Sequence, residues 1–176
     1  HDEVGNAKRL YNLVCDHSRG LDIARLVSWF SLLCPGYPIL FQGTEDLASN
    51  FFSWGLPHTS DVQSHLLGNK LPAYRRQHLA GIRDVLSLRN KNHDLWAQQT
   101  IAHHYLHQDH GILAIKRGRF WIVGNFGPTT RRLPEEMLEN AQLVLNSEKK
   151  AYGYQGTTSR GLRIGGYSVK IWKKSI

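Results

Sequence analysis

One change of texture constrains this chain more than any other feature. Before about residue 94 the apolar residues recur at helical spacing around one short continuous apolar run. After it they fall into brief β-rich runs separated by glycines. Ile23, Leu26, Val27, Phe30 and Leu33 form a helical stripe, with Asp22 placed to cap it and Pro35-Gly36 to stop it. A shorter helix is expected in the first segment, which ends at Arg19. A further helical pattern runs from Pro72 through Leu79, Ile82, Val85, Leu86 and Arg89, ending around Asn90–Asn92. Between the long patterns, Ile39-Leu40-Phe41 sits between Pro38 and Gly43 and reads as a strand buried on both faces, as in a parallel sheet. Residues 44–70 show no period and carry Phe51, Phe52 and Trp54, so they read as a long loop.

The second texture predicts strands at Ile112–Ile115, Phe120–Val123, Leu143–Leu145, Leu162–Ile164 and Tyr167–Trp172, with shorter apolar signals at Ile101 and Leu106. Five or six such strands predict an antiparallel β-sandwich. A helix, a buried strand, a loop and a helix are too little to close a layer, and a complete (β/α)8 barrel takes about 250 residues. The expected organisation is therefore α/β followed by all-β. Residues 1–94 are the last quarter of a barrel, and residues 95–176 are the C-terminal β-sandwich.

Charge narrows the function classes. The chain has 176 residues, with 22 Lys+Arg against 14 Asp+Glu, and a formal charge of +8. The basic residues are spread in pairs such as Arg75-Arg76 and Arg131-Arg132, and the densest stretch is Lys116, Arg117 and Arg119. No like-charge run, recognition helix or aromatic RNA-binding motif accompanies them, so a solvated basic surface is expected and no nucleic-acid partner. No apolar run is long enough to span a membrane. Two cysteines, Cys15 and Cys34, are too few for a disulfide framework. They read as buried, inert thiols in a reducing compartment, which implies a cytoplasmic location. His103, His104, His107 and His110 lack the helical spacing and the Cys or acidic partners of a tetrahedral metal site, so no metal and no cofactor is expected. The chain begins with His1 rather than Met and is read as a piece of something longer.

Several motifs in a fixed order carry the functional reading. His1-Asp2-Glu3-Val4-Gly5-Asn6 opens the chain, and Pro35-Gly36-Tyr37-Pro38-Ile39-Leu40-Phe41-Gln42-Gly43-Thr44-Glu45 follows the first long helical pattern. Ile82-Arg83 and Leu88-Arg89 lie in the next helix. Val123-Gly124-Asn125-Phe126 and Leu145-Asn146-Ser147-Glu148, the latter before Tyr152-Gly153, lie in the β-rich part. This series resembles the α-amylase family, glycoside hydrolase family thirteen. Its tail looks like the β-domain of glycogen branching enzymes and trehalose-releasing hydrolases.

The resemblance implies a retaining mechanism, in which one carboxylate attacks the anomeric carbon and a carboxylic acid protonates the leaving oxygen. Asp2 matches the family's third acid, which stabilises the oxocarbenium-like transition state. His1 matches the histidine that hydrogen-bonds the same sugar ring. The family's nucleophile and acid correspond to positions upstream of His1, so these residues by themselves are expected to be inactive. Glu45, just after the expected last barrel strand, is open to two readings: a border of the sugar site or a structural hydrogen-bonding role. The Phe51, Phe52 and Trp54 loop is likewise open between stacking on glucose rings and packing. The implied substrate is an α-glucan, such as glycogen, starch or a maltooligosaccharide, and the implied reaction is 1,4-α-glucan branching. The alternatives are a trehalose-releasing hydrolase or an α-amylase of the same family and, from another class, a non-catalytic glucan-binding module.

Overall fold

The computed structural model describes residues 9–41, 43–49, 71–97 and 103–175. In chain order these form α1 (Leu10–Val14), α2 (Gly20–Leu33), α3 (Ala73–Lys91), α4 (His93–Trp96), β1 (His103–His107), β2 (Ile112–Arg117) and β3 (Phe120–Asn125). There follow β4 (Arg131–Arg132), α5 (Glu135–Leu138), β5 (Ala141–Asn146), β6 (Arg163–Ile164) and β7 (Ser168–Lys174). Strands β1, β2, β3, β7 and β5 build one five-stranded sheet in that spatial order, and every pair in it is antiparallel. Strands β4 and β6 pair separately.

Strand β3 shows why the sheet is the centre of the molecule. Successive side chains alternate between faces, and both faces are covered. Phe120 and Ile122 join α2 and α3 in one apolar cluster, while Trp121 and Val123 join Leu133, Met137, Leu138 and Ile164 in another. The antiparallel half of the expectation therefore stands. The second layer differs from a full sandwich, because helices cover one face and a two-stranded pair with α5 covers the other.

Helix α2 lies between α3 and the sheet, so it is buried on more than its expected stripe. Trp29 and Leu32, off that stripe, are buried, whereas Val27, on it, is exposed. Gly81 of α3 faces the Trp29 indole so closely that a Cβ there would lie 2.8 Å from the ring. Only glycine permits that approach between the two helices. Asp22 is not the cap that the sequence reading made it. It sits inside the first turn of α2, and the position before the helix is Arg19, whose side chain makes no cap bond.

The run Ile39-Leu40-Phe41 forms no strand. Ile39 is 93 % exposed, and no parallel strand pair exists among the described residues. Leu40 still packs against the helix-side cluster, and the Arg9 guanidinium lies over the Phe41 ring. A parallel strand needs neighbours for its backbone, and none of the described residues supplies them.

Burial corrects two further expectations. Arg117, read as part of a solvated basic stretch, is fully buried and donates to the Leu33, Cys34 and Ala97 carbonyls at 2.8, 3.1 and 3.0 Å. Together with Arg89 it satisfies the open carbonyls at the C-terminus of α2, where a cation is also favoured by the helix dipole. Ser168 and Lys170 of β7 are also buried. Cys15 is exposed, because α1 is a single marginal turn on the surface, whereas Cys34 is half-buried and burial pushes its thiol up.

Candidate functional site

His1 and Asp2, the residues matched to the catalytic motif, lie outside the described residues, as do Phe51, Phe52 and Trp54. The described structure begins at Arg9 and at once builds a concave site. Helix α1, the turn after it and the start of α2 enclose a cavity of about 350 Å³, lined among others by Tyr11, Asp16, His17, Tyr74 and Gln155. Tyr11 and Tyr74 stack with ring centres 5.7 Å apart and 18° between planes, which joins α1 to α3. His17 is held from two sides. Its Nδ1 accepts the Arg19 backbone N–H at 2.9 Å, and its ring meets the Tyr167 ring edge-on. The wall thus mixes aromatic faces with a carboxylate, an imidazole and an amide.

Beneath this cavity Asp22 is fully buried and fully engaged. Arg19 Nε and Arg25 Nη1 donate to it at 2.5 and 2.9 Å, and the Gln155 N–H donates at 3.0 Å. Position in the first turn of α2 adds a favourable helix dipole. Arg19 continues across the molecule, donating to the Gly166 carbonyl at 2.9 Å and covering the Tyr154 and Tyr167 rings. The hub therefore locks α2 to the loops between β5 and β7. An unpaired buried charge would be costly, and this one has two cations. Burial lowers the Arg25 pKa, and burial together with the Arg25 charge holds the nearby His78 imidazole down to about 3. His78 is neutral at physiological pH and belongs to the interior.

The other candidates have structural partners. Glu45 accepts the Gly43 N–H at 2.9 Å within the 43–47 turn, and buried Asp46 pairs with Arg75 of α3 and holds that turn against the helix. The motif residues of the β-rich part have equally concrete work. Asn125 donates to the Thr129, Ile164 and Gly165 carbonyls and accepts the Gly127 N–H. Glu148, fully buried, accepts the Gly165 N–H at 2.8 Å and the Ser159 and Ser168 hydroxyls, and pairs with Lys170 at 3.1 Å. Tyr152 donates to Asp84 of α3 at 2.5 Å, which pins the same loop to the helices. Burial and that bond push the phenol pKa up. Sequence reasoning singled out Asn125, Glu148 and Tyr152 only as motif letters. It missed the buried roles of Arg25, Arg117 and Lys170, whose only sequence signal was a long cation beside apolar residues.

His107 and His110 stack at 3.8 Å, and among the described residues no group of three or more His, Cys, Asp or Glu side chains is arranged to hold a metal ion. No helix among them is long and apolar enough to cross a membrane.

No family model matches the chain, and no curated protein matches it in sequence. Solved structures do match in fold. Amy13B from Eubacterium rectale aligns with a TM-score of 0.64 at 13 % identity, over 98 % of this chain and 38 % of its own. Ttha1563 from Thermus thermophilus aligns at 0.61 and 18 % identity, over 96 % of this chain and 34 % of its own. The isomaltulose synthase PalI from Klebsiella sp. LX3 aligns at 0.55 and 14 % identity, over 86 % of this chain and 38 % of its own. The chain thus spans little more than a third of the length of these structures, and at such identities the likeness is one of fold. That shared fold is a mixed α/β arrangement with an antiparallel sheet.

Proposed function

We propose that these residues are the C-terminal part of an α-amylase-family enzyme acting on α-glucans. Residues 1–94 would end its catalytic (β/α)8 barrel and residues 95–176 would form its β-domain. The observation that carries the reading is a coincidence of two independent signals. The motif series resembles that family in order along the chain, and the fold is shared with Amy13B and isomaltulose synthase over 98 % and 86 % of this chain. The interior work of Asn125, Glu148, Tyr152 and Arg89 supports it further, since each motif residue has a defined partner.

The proposed reaction is 1,4-α-glucan branching with retention. A covalent glycosyl intermediate forms on a carboxylate outside these residues and is resolved by a sugar hydroxyl. Asp2 stabilises the positive charge that develops on the sugar ring, and His1 donates a hydrogen bond to a ring hydroxyl. A fixed carboxylate acts most strongly where charge appears only in the transition state. No cofactor enters this scheme, and free cysteines among the described residues suit a reducing, cytoplasmic setting.

The test is the naturally occurring protein that carries these residues, assayed on amylose. Branching lowers iodine staining without new reducing ends, whereas hydrolysis releases them. Asp2→Asn is expected to lower kcat by about 10²–10³, with a smaller loss for His1→Asn. A raised KM with unchanged kcat in Asp2→Asn would overturn the role given to Asp2, and absence of any turnover on α-glucans would overturn the function.

A further inference from the structure

Beside the β4–β6 pair lies a concavity of about 500 Å³ lined by Thr130, Thr157, Thr158, Ser159, Arg160 and Arg163, and we propose that it binds a phosphate dianion. Register creates the need for one. Ile164 of β6 is fully buried, so alternation along the strand turns Arg163 to the outer face. Arg132 of β4 stands directly opposite Arg163, and like charges in that relation repel. Glu135 pairs with Arg132 and neutralises one of the two. The guanidinium groups of Arg160 and Arg163 have no carboxylate partner among the described residues. Two exposed cations therefore share one concavity with no acid in its wall.

The wall is also fixed from behind. Glu148, fully buried, accepts the Ser159 N–H at 2.5 Å and the Ser159 hydroxyl at 2.9 Å. Buried Lys170 donates to the Ser159 and Arg163 carbonyls at 3.2 and 2.9 Å. These bonds engage the inner side of the 159–163 segment and consume the Glu148 charge on Lys170, at 3.1 Å. The hydroxyls of Thr130, Thr157 and Thr158 make no hydrogen bond among the described residues, which leaves them to a ligand. A backbone held in place before binding loses little entropy when the ligand arrives.

The chemistry of the wall selects its occupant. It has no aromatic ring and no broad apolar surface, so a sugar ring has nothing to stack on. Its arginines repel a cation. Guanidinium and hydroxyl donors around one concavity suit a compact oxyanion, whose oxygens accept several charge-assisted hydrogen bonds at once. A charge of −2 balances Arg160 and Arg163. Free phosphate and a phosphoryl group carried on a larger molecule share this chemistry. The inference stands apart from the α-glucan reading, because it uses only these residues and their charges.

Calorimetric titration of the natural protein with inorganic phosphate, at a pH where phosphate is dianionic and against chloride at equal ionic strength, tests it. The substituted side chains are all exposed, so folding is not at stake. Saturable binding is expected, weakened about tenfold in Arg163→Gln, which is about 1.4 kcal/mol, and further in Arg160→Gln/Arg163→Gln. Thr157→Val/Thr158→Val keeps the charge and is expected to weaken binding several-fold. Lys91→Gln, which removes an exposed cation from α3, is expected to change nothing. Phosphate should raise the thermal midpoint of the natural protein and not that of Arg160→Gln/Arg163→Gln. Methyl phosphate is expected to compete with phosphate, as a phosphoryl group on a larger molecule requires; a failure to compete keeps the site and assigns it to free phosphate. No saturable phosphate binding, an equal response to chloride, or a loss in Lys91→Gln as large as in Arg163→Gln overturns the site. Unchanged binding in Thr157→Val/Thr158→Val overturns it too, since diffuse surface charge then suffices.

Discussion

Two short apolar runs in this molecule look alike and behave in opposite ways. Phe120-Trp121-Ile122-Val123 is buried at every position, hydrogen-bonded to β2 on one side and β7 on the other. Ile39-Leu40-Phe41 forms no strand, and Ile39 is 93 % exposed. The difference is not one of hydrophobicity. β3 has a strand on each side and an apolar layer on each face, whereas the 37–41 segment has apolar contacts for Leu40 and no strand beside it among the described residues. An apolar run stabilises a fold only through the surface it buries, at roughly 25 cal/mol per Å² of apolar area, and exposure forfeits that gain.

The largest effect expected from this contrast is in amide exchange. Amides of Trp121 to Val123 should open only with global unfolding, and those of Ile39 to Phe41 should exchange faster. Native-state hydrogen exchange read by mass spectrometry or NMR measures both at once, and the reverse order would break the comparison. Next in size is removal of the carboxylate that serves the sheet side. Glu148→Ala leaves Lys170, 1 % exposed, without its counter-ion. A loss of about 3–5 kcal/mol in chemical denaturation is expected. Glu148→Gln, which keeps the hydrogen-bonding shape, should cost less.

Side-chain truncation then sharpens the contrast residue by residue. Ile122→Ala removes fully buried methylene and methyl groups from the helix-side cluster and should cost about 2–5 kcal/mol. A smaller effect is expected from pH. His78, fully buried in α3, titrates at about 3 because of burial and the Arg25 charge, against about 6.5 in an unfolded chain. The unfolded state therefore binds the extra proton first as pH falls. Stability is unaffected by His78 above about pH 6.5 and declines below it, by up to about 1.4 kcal/mol per pH unit until the folded value is reached. Denaturation curves for the natural protein and His78→Gln between pH 7 and 5 should diverge in slope, with the variant losing less on acidification. The smallest effect belongs to the exposed run, since Ile39→Ala should change stability by no more than about 0.5 kcal/mol.

The site is legible to different degrees in its parts. The Glu148 motif was visible as a string of letters, Leu145-Asn146-Ser147-Glu148, but nothing in that string names Lys170 or Gly165 as partners, because they lie 17 or more residues away and meet it only when β5 and β7 pair. Asp22 was misread as a cap because a carboxylate before an apolar helical stripe has that local meaning. Two arginines at its side, Arg19 and Arg25, drew it into the first turn instead.

By itself the sequence determined the elements whose cause is local. Periodicity and stop signals placed α2 and α3, and β-rich runs between glycines placed β2, β3 and β7, because spacing of apolar residues dictates which faces a helix or strand can bury. Gly118, with φ of +52° between β2 and β3, marked their hairpin, since a left-handed turn residue is a local requirement. Only the tertiary structure decided which apolar run became a strand, which cations went inside and which carboxylates they met. Those outcomes depend on neighbours distant in sequence. A strand exists only when another backbone takes its hydrogen bonds, and a charge is buried only when an opposite charge or several carbonyls arrive with it.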